Sequence, residues 1–153
     1  EFADKLEQIE RTREAQKFHS FIGKLYGSDG QLNKTDEQKI SLIRSFSIPN
    51  TKEDIFEFMI LAASNIDLKL YGLGDKGVIT ASQRAVSDAW LAKFEQAYEK
   101  ASFAFSTSSD FLSIKDIHDN KIKQLKRKKW EIPMLILGIL ALAFLPWLFV
   151  MIL

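Results

Sequence analysis

Few side chains in this sequence are spaced for chemistry. Gly72-Leu73-Gly74-Asp75-Lys76-Gly77 matches the G-x-G-x-x-G string that cradles a pyrophosphate. That chemistry needs a strand before the first glycine and a helix opening at the last, so that backbone amides and a helix end face the phosphates. Here a helical pattern precedes the string, Val78-Ile79-Thr80 separates it from the next helix, and no Ser or Thr follows Lys76 as a phosphate loop requires. An interhelical loop is expected. His19 and His118 are the only histidines, and neither has a second ligand at a metal-site spacing. Asp116 and Asp119 flank His118, but on a helix they are expected to point to different sides, which makes both histidines solvated surface residues. Absence of cysteine removes thiolate nucleophiles, disulfides and Cys-based zinc sites. No catalytic, cofactor-binding or metal-binding residue stands out. The expectation is a non-enzymatic chain with no cofactor and no small-molecule substrate.

Two further groups have a functional and a bland reading. Glu53, Asp54 and Glu57 form an acidic first turn and a half of a helix, which complements its dipole by a few tenths of a kcal/mol each; they would dock a basic partner only if exposed together. Trp90, Phe94 and Tyr98 form an aromatic stripe, expected to be core rather than a peptide groove.

Helical spacing runs from end to end, and strand-like alternation is nearly absent. Phe2, Leu6, Ile9, then Phe18, Ile22 and Leu25 recur at steps of three and four until Gly27, Asp29 and Gly30. Thr35 with Gln38 reads as a capping box opening a second helix with Ile40, Leu42, Ile43 and Phe46, which Pro49 is expected to end. Thr51 with Asp54 opens a third, and Ile55, Phe58, Met59, Leu61, Ala62, Ala63 and Ile66 are apolar on more than one side, as in a helix surrounded by others. After the glycines a fourth helix is expected from about Ser82 to Phe105. Ser106 to Ser109 make a polar joint. A fifth helix then starts at Asp110 with Phe111, Ile114, Ile117, Ile122 and Leu125 at steps of three to five. It resembles a coiled-coil seam about two heptads long.

The last 22 residues, Ile132 to Leu153, carry no charge and no hydrogen-bonding side chain except the Trp147 indole. At roughly 1.5 Å per residue they span about 33 Å as a helix, enough for a hydrocarbon core of about 30 Å. Pro133 suits the first turn of such a helix, and Pro146 leaves a hairpin as the alternative to a single span. Six cations, Lys121, Lys123, Lys126, Arg127, Lys128 and Lys129, crowd the positions before Trp130. Lys and Arg bias the side on which a flank is retained, so residues 1 to 129 are expected in the cytoplasm, with Trp130 at headgroup level. The sequence opens at Glu1 on a charged rather than an apolar run, so no signal peptide is expected in the residues given, and a segment upstream of Glu1 is left open.

The formal charge of +1 conceals a division: residues 1 to 120 hold 15 Lys/Arg against 19 Asp/Glu, whereas 121 to 131 hold six against one. A mildly acidic body with basic groups confined to one short run disfavours nucleic acid as a partner, because neutralising several phosphates needs cations spread over a folded face. It fits a segment lying beside anionic lipid, although a topology signal with no lipid specificity is the favoured reading of the run.

Ser45-Phe46-Ser47-Ile48-Pro49-Asn50-Thr51-Lys52-Glu53-Asp54-Ile55-Phe56-Glu57-Phe58 and Ser87-Asp88-Ala89-Trp90-Leu91-Ala92-Lys93-Phe94-Glu95-Gln96-Ala97-Tyr98 resemble segments of uncharacterised bacterial membrane proteins in which an N-terminal zinc ribbon precedes a helical region and a membrane segment. The resemblance covers roughly residues 46 to 101. It implies a bacterial inner-membrane setting, a ribbon upstream of Glu1 and no particular activity. With no cysteine here, no zinc ligand carries over.

The sequence thus reads as all-α: a helical bundle over 1–106, a basic juxtamembrane helix over 107–130 and a transmembrane anchor over 131–153. The expected function is a membrane-tethered adaptor or assembly module holding a protein partner at the cytoplasmic face of the inner membrane. Lys121 to Lys129 and Trp130 would meet the lipid bilayer, and Phe111, Ile114 and Ile117 would form a seam for a partner or for self-association. Two rival readings are an accessory subunit of a membrane transporter or enzyme complex, and a tail-anchored coiled-coil trafficking or fusion factor.

Overall fold

Local signals decide where each helix begins. In the computed structural model, which describes residues 1–27, 34–72 and 81–152, all regular structure among the described residues is helical. Helix α1 runs Phe2–Tyr26 and stops at Gly27, whose φ of 76° is the left-handed conformation that glycine adopts without a Cβ clash. Helix α2, Asp36–Ser45, opens with the capping box: the Gln38 amide donates to Thr35 Oγ1 at 3.3 Å, and the Thr35 amide donates to Gln38 Oε1 at 3.0 Å. Helix α3, Lys52–Asn65, is capped by Thr51 Oγ1 accepting from the Asp54 amide. A short 3₁₀ turn, Leu68–Tyr71, follows. Helix α4 spans Ala81–Phe105, and helix α5 spans Phe111–Ile152.

Helix α2 ends at Ser45, earlier than Pro49 requires, and Phe46 is extended rather than helical. The stretch from Phe46 to Asn50 therefore has backbone carbonyls with no helical donor. Two lysines of α4 supply them: Lys93 Nζ donates to the Phe46 carbonyl at 2.7 Å, and Lys100 Nζ to the Ile48 carbonyl at 2.9 Å and Asn50 Oδ1 at 2.6 Å. Burial lowers the Lys93 pKa. Freed from the helix, the Phe46 ring stacks between Phe21 of α1 (4.2 Å) and Phe58 of α3 (5.2 Å) and joins the two.

Helix α3 lies at the centre, as its many-sided apolarity implies. Ile55, Phe58, Met59 and Ala62 are fully buried, together with Ile43, Phe94, Ala97, Ala101 and, at 1% exposure, Ile114. It packs on α4 and α5, with α1 on a further side. Helix α1 is only half engaged. Phe18, Phe21, Ile22 and Leu25 meet the core, whereas Phe2, Leu6 and Ile9 are exposed. The expected single stripe is thus two stripes on different faces.

Helix α5 belongs to two environments. Ile114 and Leu125 are buried in the bundle, so the basic juxtamembrane segment expected over 107–130 packs against α3, α4 and the 3₁₀ turn. From Met134 onward the same helix is exposed on all sides, and this part is long and apolar enough to cross a membrane. Both Pro133 and Pro146 lie inside the helix. Pro133 is therefore not in a first turn, and no hairpin forms at Pro146. Each proline withholds the N–H that the carbonyl four residues earlier would accept, which local adjustment tolerates in an apolar helix.

Truncating Phe58 removes a fully buried ring at the junction of α3, α4 and the α2–α3 connection. Phe58→Ala should cost about 3–5 kcal/mol in chemical denaturation of the detergent-solubilised chain, whereas Phe103→Ala, at 94% exposure, should change stability by less than about 0.5 kcal/mol.

Candidate functional site

The basic run is divided by the helix that carries it. At about 100° per residue, Lys121 and Lys128 fall on the side of α5 that carries buried Leu125, and Lys123, Lys126 and Arg127 on the open side. Exposure agrees: Lys121 and Lys128 are half-buried and the other four cations exposed. Desolvation lowers the Lys121 pKa, opposed by the nearby Asp67 carboxylate. Lys128 Nζ pairs with Glu131 at 3.1 Å. Trp130, 62% exposed, points outward where the charged and apolar parts of α5 meet. Three cations, Lys123, Lys126 and Arg127, thus present one open basic face just before the apolar stretch.

Against the other side of this collar sits a corner that the sequence reading did not identify. Tyr71 ends the 3₁₀ turn and lies under the Arg84 guanidinium, 3.9 Å from the ring centroid, with Lys129 Nζ at 5.9 Å. Its hydroxyl donates to Asp88 Oδ1 at 2.7 Å and lies 3.0 Å from Ser87 Oγ, which also accepts the Asp67 amide at 3.0 Å. Arg84 completes the network, its Nε donating to Asp88 at 3.2 Å and its Nη1 to the Leu70 carbonyl at 2.8 Å. Burial, reinforced by donation to Asp88 and opposed by Ser87, pushes the Tyr71 pKa up to about 12. Gly72 brings the backbone directly onto α5: a Cβ there would lie 2.5 Å from Glu131 Oε2 and 3.0 Å from the Lys128 carbonyl. The Arg84–Asp88 pair, four residues apart on α4, was the one local signal; the partners on the 3₁₀ turn and α5 are far away in sequence.

His118 is not a solvated residue. Its ring stacks on Tyr98 with centroids 3.7 Å apart and planes 6° apart, with Phe94 beyond at 5.7 Å. Nε2 lies 3.0 Å from Glu95 Oε2 and Nδ1 3.1 Å from Asp119 Oδ1, so Asp119 does turn toward it. An imidazole between two carboxylates can hold or pass a proton. Among the described residues no group of His, Cys, Asp and Glu is arranged to hold a metal. His19 is exposed.

The seam expected to receive a partner is occupied by this chain. Ile114 is buried under α3 and α4, the Phe111 ring stacks on Tyr98 at 6.0 Å, and Ile117 packs against the core. Ile114 is closed off within the chain, whereas Phe111 and Ile117 are half-buried in intramolecular contacts and keep part of their surface open. Trp90 and Phe94 are core, as expected, with Tyr98 half-buried beside them. Glu53 and Glu57 are exposed together, and Asp54 is taken up by Thr51. The two glutamates rim a cleft of about 390 Å³ with Phe56 and Ile114, beside the Lys52–Asp110 pair at 2.5 Å that ties the start of α3 to the start of α5. That pairing raises the Lys52 pKa and lowers that of Asp110. Of the G-x-G-x-x-G string only Gly72 is among the described residues; the rest lies outside them.

Comparison with protein-family models, with curated proteins and with solved structures finds no match to this chain.

Two variants test the corner. A tyrosine whose pKa stands near 12 when folded and about 10 when unfolded stabilises the fold fully below pH 10 and progressively less as pH rises toward 12. Tyr71→Phe should cost about 1 kcal/mol at neutral pH and should make the alkaline decline shallower than in the unmodified chain, read by denaturant titration at pH 8 to 12. Gly72→Ala forces a methyl into the Lys128 carbonyl and should cost about 1–3 kcal/mol by the same assay.

Proposed function

We propose that this chain is a membrane-tethered, non-enzymatic adaptor or assembly module that holds a protein partner at the cytoplasmic face of a bacterial inner membrane. The observation that carries the reading is the continuity of α5, a single helix of 42 residues whose first half is core and whose second half is apolar and unburied. An apolar surface of that extent is stable among acyl chains and costly in water. The open basic face of Lys123, Lys126 and Arg127 lies where anionic headgroups would meet it, each cation worth about 1 kcal/mol there. Lysines and arginines on this flank favour retention of the bundle in the cytoplasm. Because no break separates bundle from span, the bundle is presented in one orientation, which suits an assembly role. A tethered binder also gains effective concentration without any new contact.

The absence of native cysteine makes topology readable residue by residue. Ser109→Cys should react with a membrane-impermeant maleimide only after permeabilisation of cells, and Leu153→Cys should react in intact cells. Labelling of Ser109→Cys in intact cells would reverse the topology. Quantitative extraction of the unlabelled protein by alkaline carbonate would remove the tether altogether.

A further inference from the structure

Helix α1 carries an apolar stripe that its own bundle leaves bare. Phe2, Leu6 and Ile9 are 77%, 52% and 58% exposed. At about 100° per residue they fall within about 60° of one another, while the face that packs on the bundle, marked by Glu14, Phe18, Phe21 and Leu25, is centred about 120° further round. Bending α1 onto the bundle would therefore not cover the stripe.

Its place in the molecule excludes lipid as the cover. Arg11 lines the same cleft as Lys52 and Asp110, and Tyr26 Oη donates to Asn65 Oδ1 at 3.0 Å, so α1 and α3 run side by side in the same direction. Lys52 and Asp110 mark the end of the bundle opposite Trp130, about 30 Å along α5 at 1.5 Å per residue. Residues 2 to 9 project beyond that end, away from the apolar stretch.

Charge selects the occupant. Lys5 and Glu10 flank the stripe on opposite sides, about 70° either way from its centre, and are five residues apart. In a parallel two-fold pair the Lys5 flank of one copy meets the Glu10 flank of the other, the offset at which interhelical ion pairs form in parallel coiled coils. Antiparallel pairing sets Lys5 against Lys5 and Glu10 against Glu10. Lys5 now reaches Glu1 at 3.5 Å in an exposed pair that offers little resistance to exchange. We propose that the first three turns of α1 are a homodimerisation stripe, closing in parallel on the same stripe of a second copy with both bundles on the outside. The inference rests on the membrane reading above, since spans of common sidedness align two α1 helices in parallel and confinement to one plane compensates for a short contact.

The cysteine-free background supplies the test. The full chain carrying Ile9→Cys, reconstituted in phosphatidylcholine vesicles at low protein-to-lipid ratio and oxidised, should give at least fivefold more disulfide dimer than the Asp4→Cys protein, whose cysteine lies on the opposite side of the helix. Lys5→Glu in the Ile9→Cys background should lower the yield at least threefold, and adding Glu10→Lys should restore it. Equal yields from positions 4 and 9, no product from position 9, or a charge reversal without effect would overturn the proposal. Carbonate treatment of the same vesicles separates the two claims. Retained protein that forms no Ile9→Cys dimer refutes the stripe alone, whereas protein stripped from the vesicles refutes the membrane reading and the parallel alignment derived from it.

Discussion

One helix carries two kinds of surface, and the rest of the molecule follows from how they are joined. Over its first half α5 buries Ile114 and Leu125 in a protein core; over its second half it offers only apolar side chains to its surroundings. Water is a poor solvent for the second half, and this chain's own bundle buries none of it. The change falls within a turn of Trp130. There the cations stop, Glu131 pairs with Lys128, and Pro133 withholds an amide without ending the helix. A flexible linker would have let bundle and apolar stretch turn independently, whereas a continuous helix fixes the face that each presents.

The bundle is held to that helix at both ends. At the far end Lys52 of α3 pairs with Asp110. At the near end the close approach of Gly72 and the Tyr71–Arg84–Asp88 network seat the 3₁₀ turn against Lys128 and Lys129. Between them runs the aromatic series Phe21, Phe46, Phe58 and Trp90, which couples α1 and the α2–α3 connection to α3 and α4. The lysines that satisfy the carbonyls of that connection show the same economy of means, because α4 supplies the donors that a shortened α2 no longer does.

Much of this was legible in the sequence where the signal is local. The Thr35–Gln38 box and the Thr51 cap need only residues three apart, and both helices start where those caps stand. The surplus apolarity of Ile55 to Ile66 marked α3 as central, and the uncharged tail marked the end of α5. What was not legible required a second element. Periodicity shows that Phe111, Ile114 and Ile117 share a face but not that α3 and α4 already fill it. The same holds for His118, which looks solvated until Phe94 and Tyr98 are placed beneath it. Helix α1 is the converse case: spacing joined Phe2, Leu6 and Ile9 to Phe18, Ile22 and Leu25, and only the packed structure shows that they serve different faces. The Tyr71 corner draws on three segments, and the pair Arg84–Asp88 alone gives no hint of the rest.

The claim that α5 passes from protein core into lipid is measured most directly by depth. Spin labels on single cysteines introduced at successive positions from 126 to 150, in vesicle-reconstituted protein, report relative access to oxygen and to a water-soluble nickel chelate. The account predicts aqueous access at Lys126, a crossover near Trp130 and greatest depth near Leu140, varying smoothly through Pro146. Aqueous access along the whole stretch, or a return to water at Pro146, would contradict it.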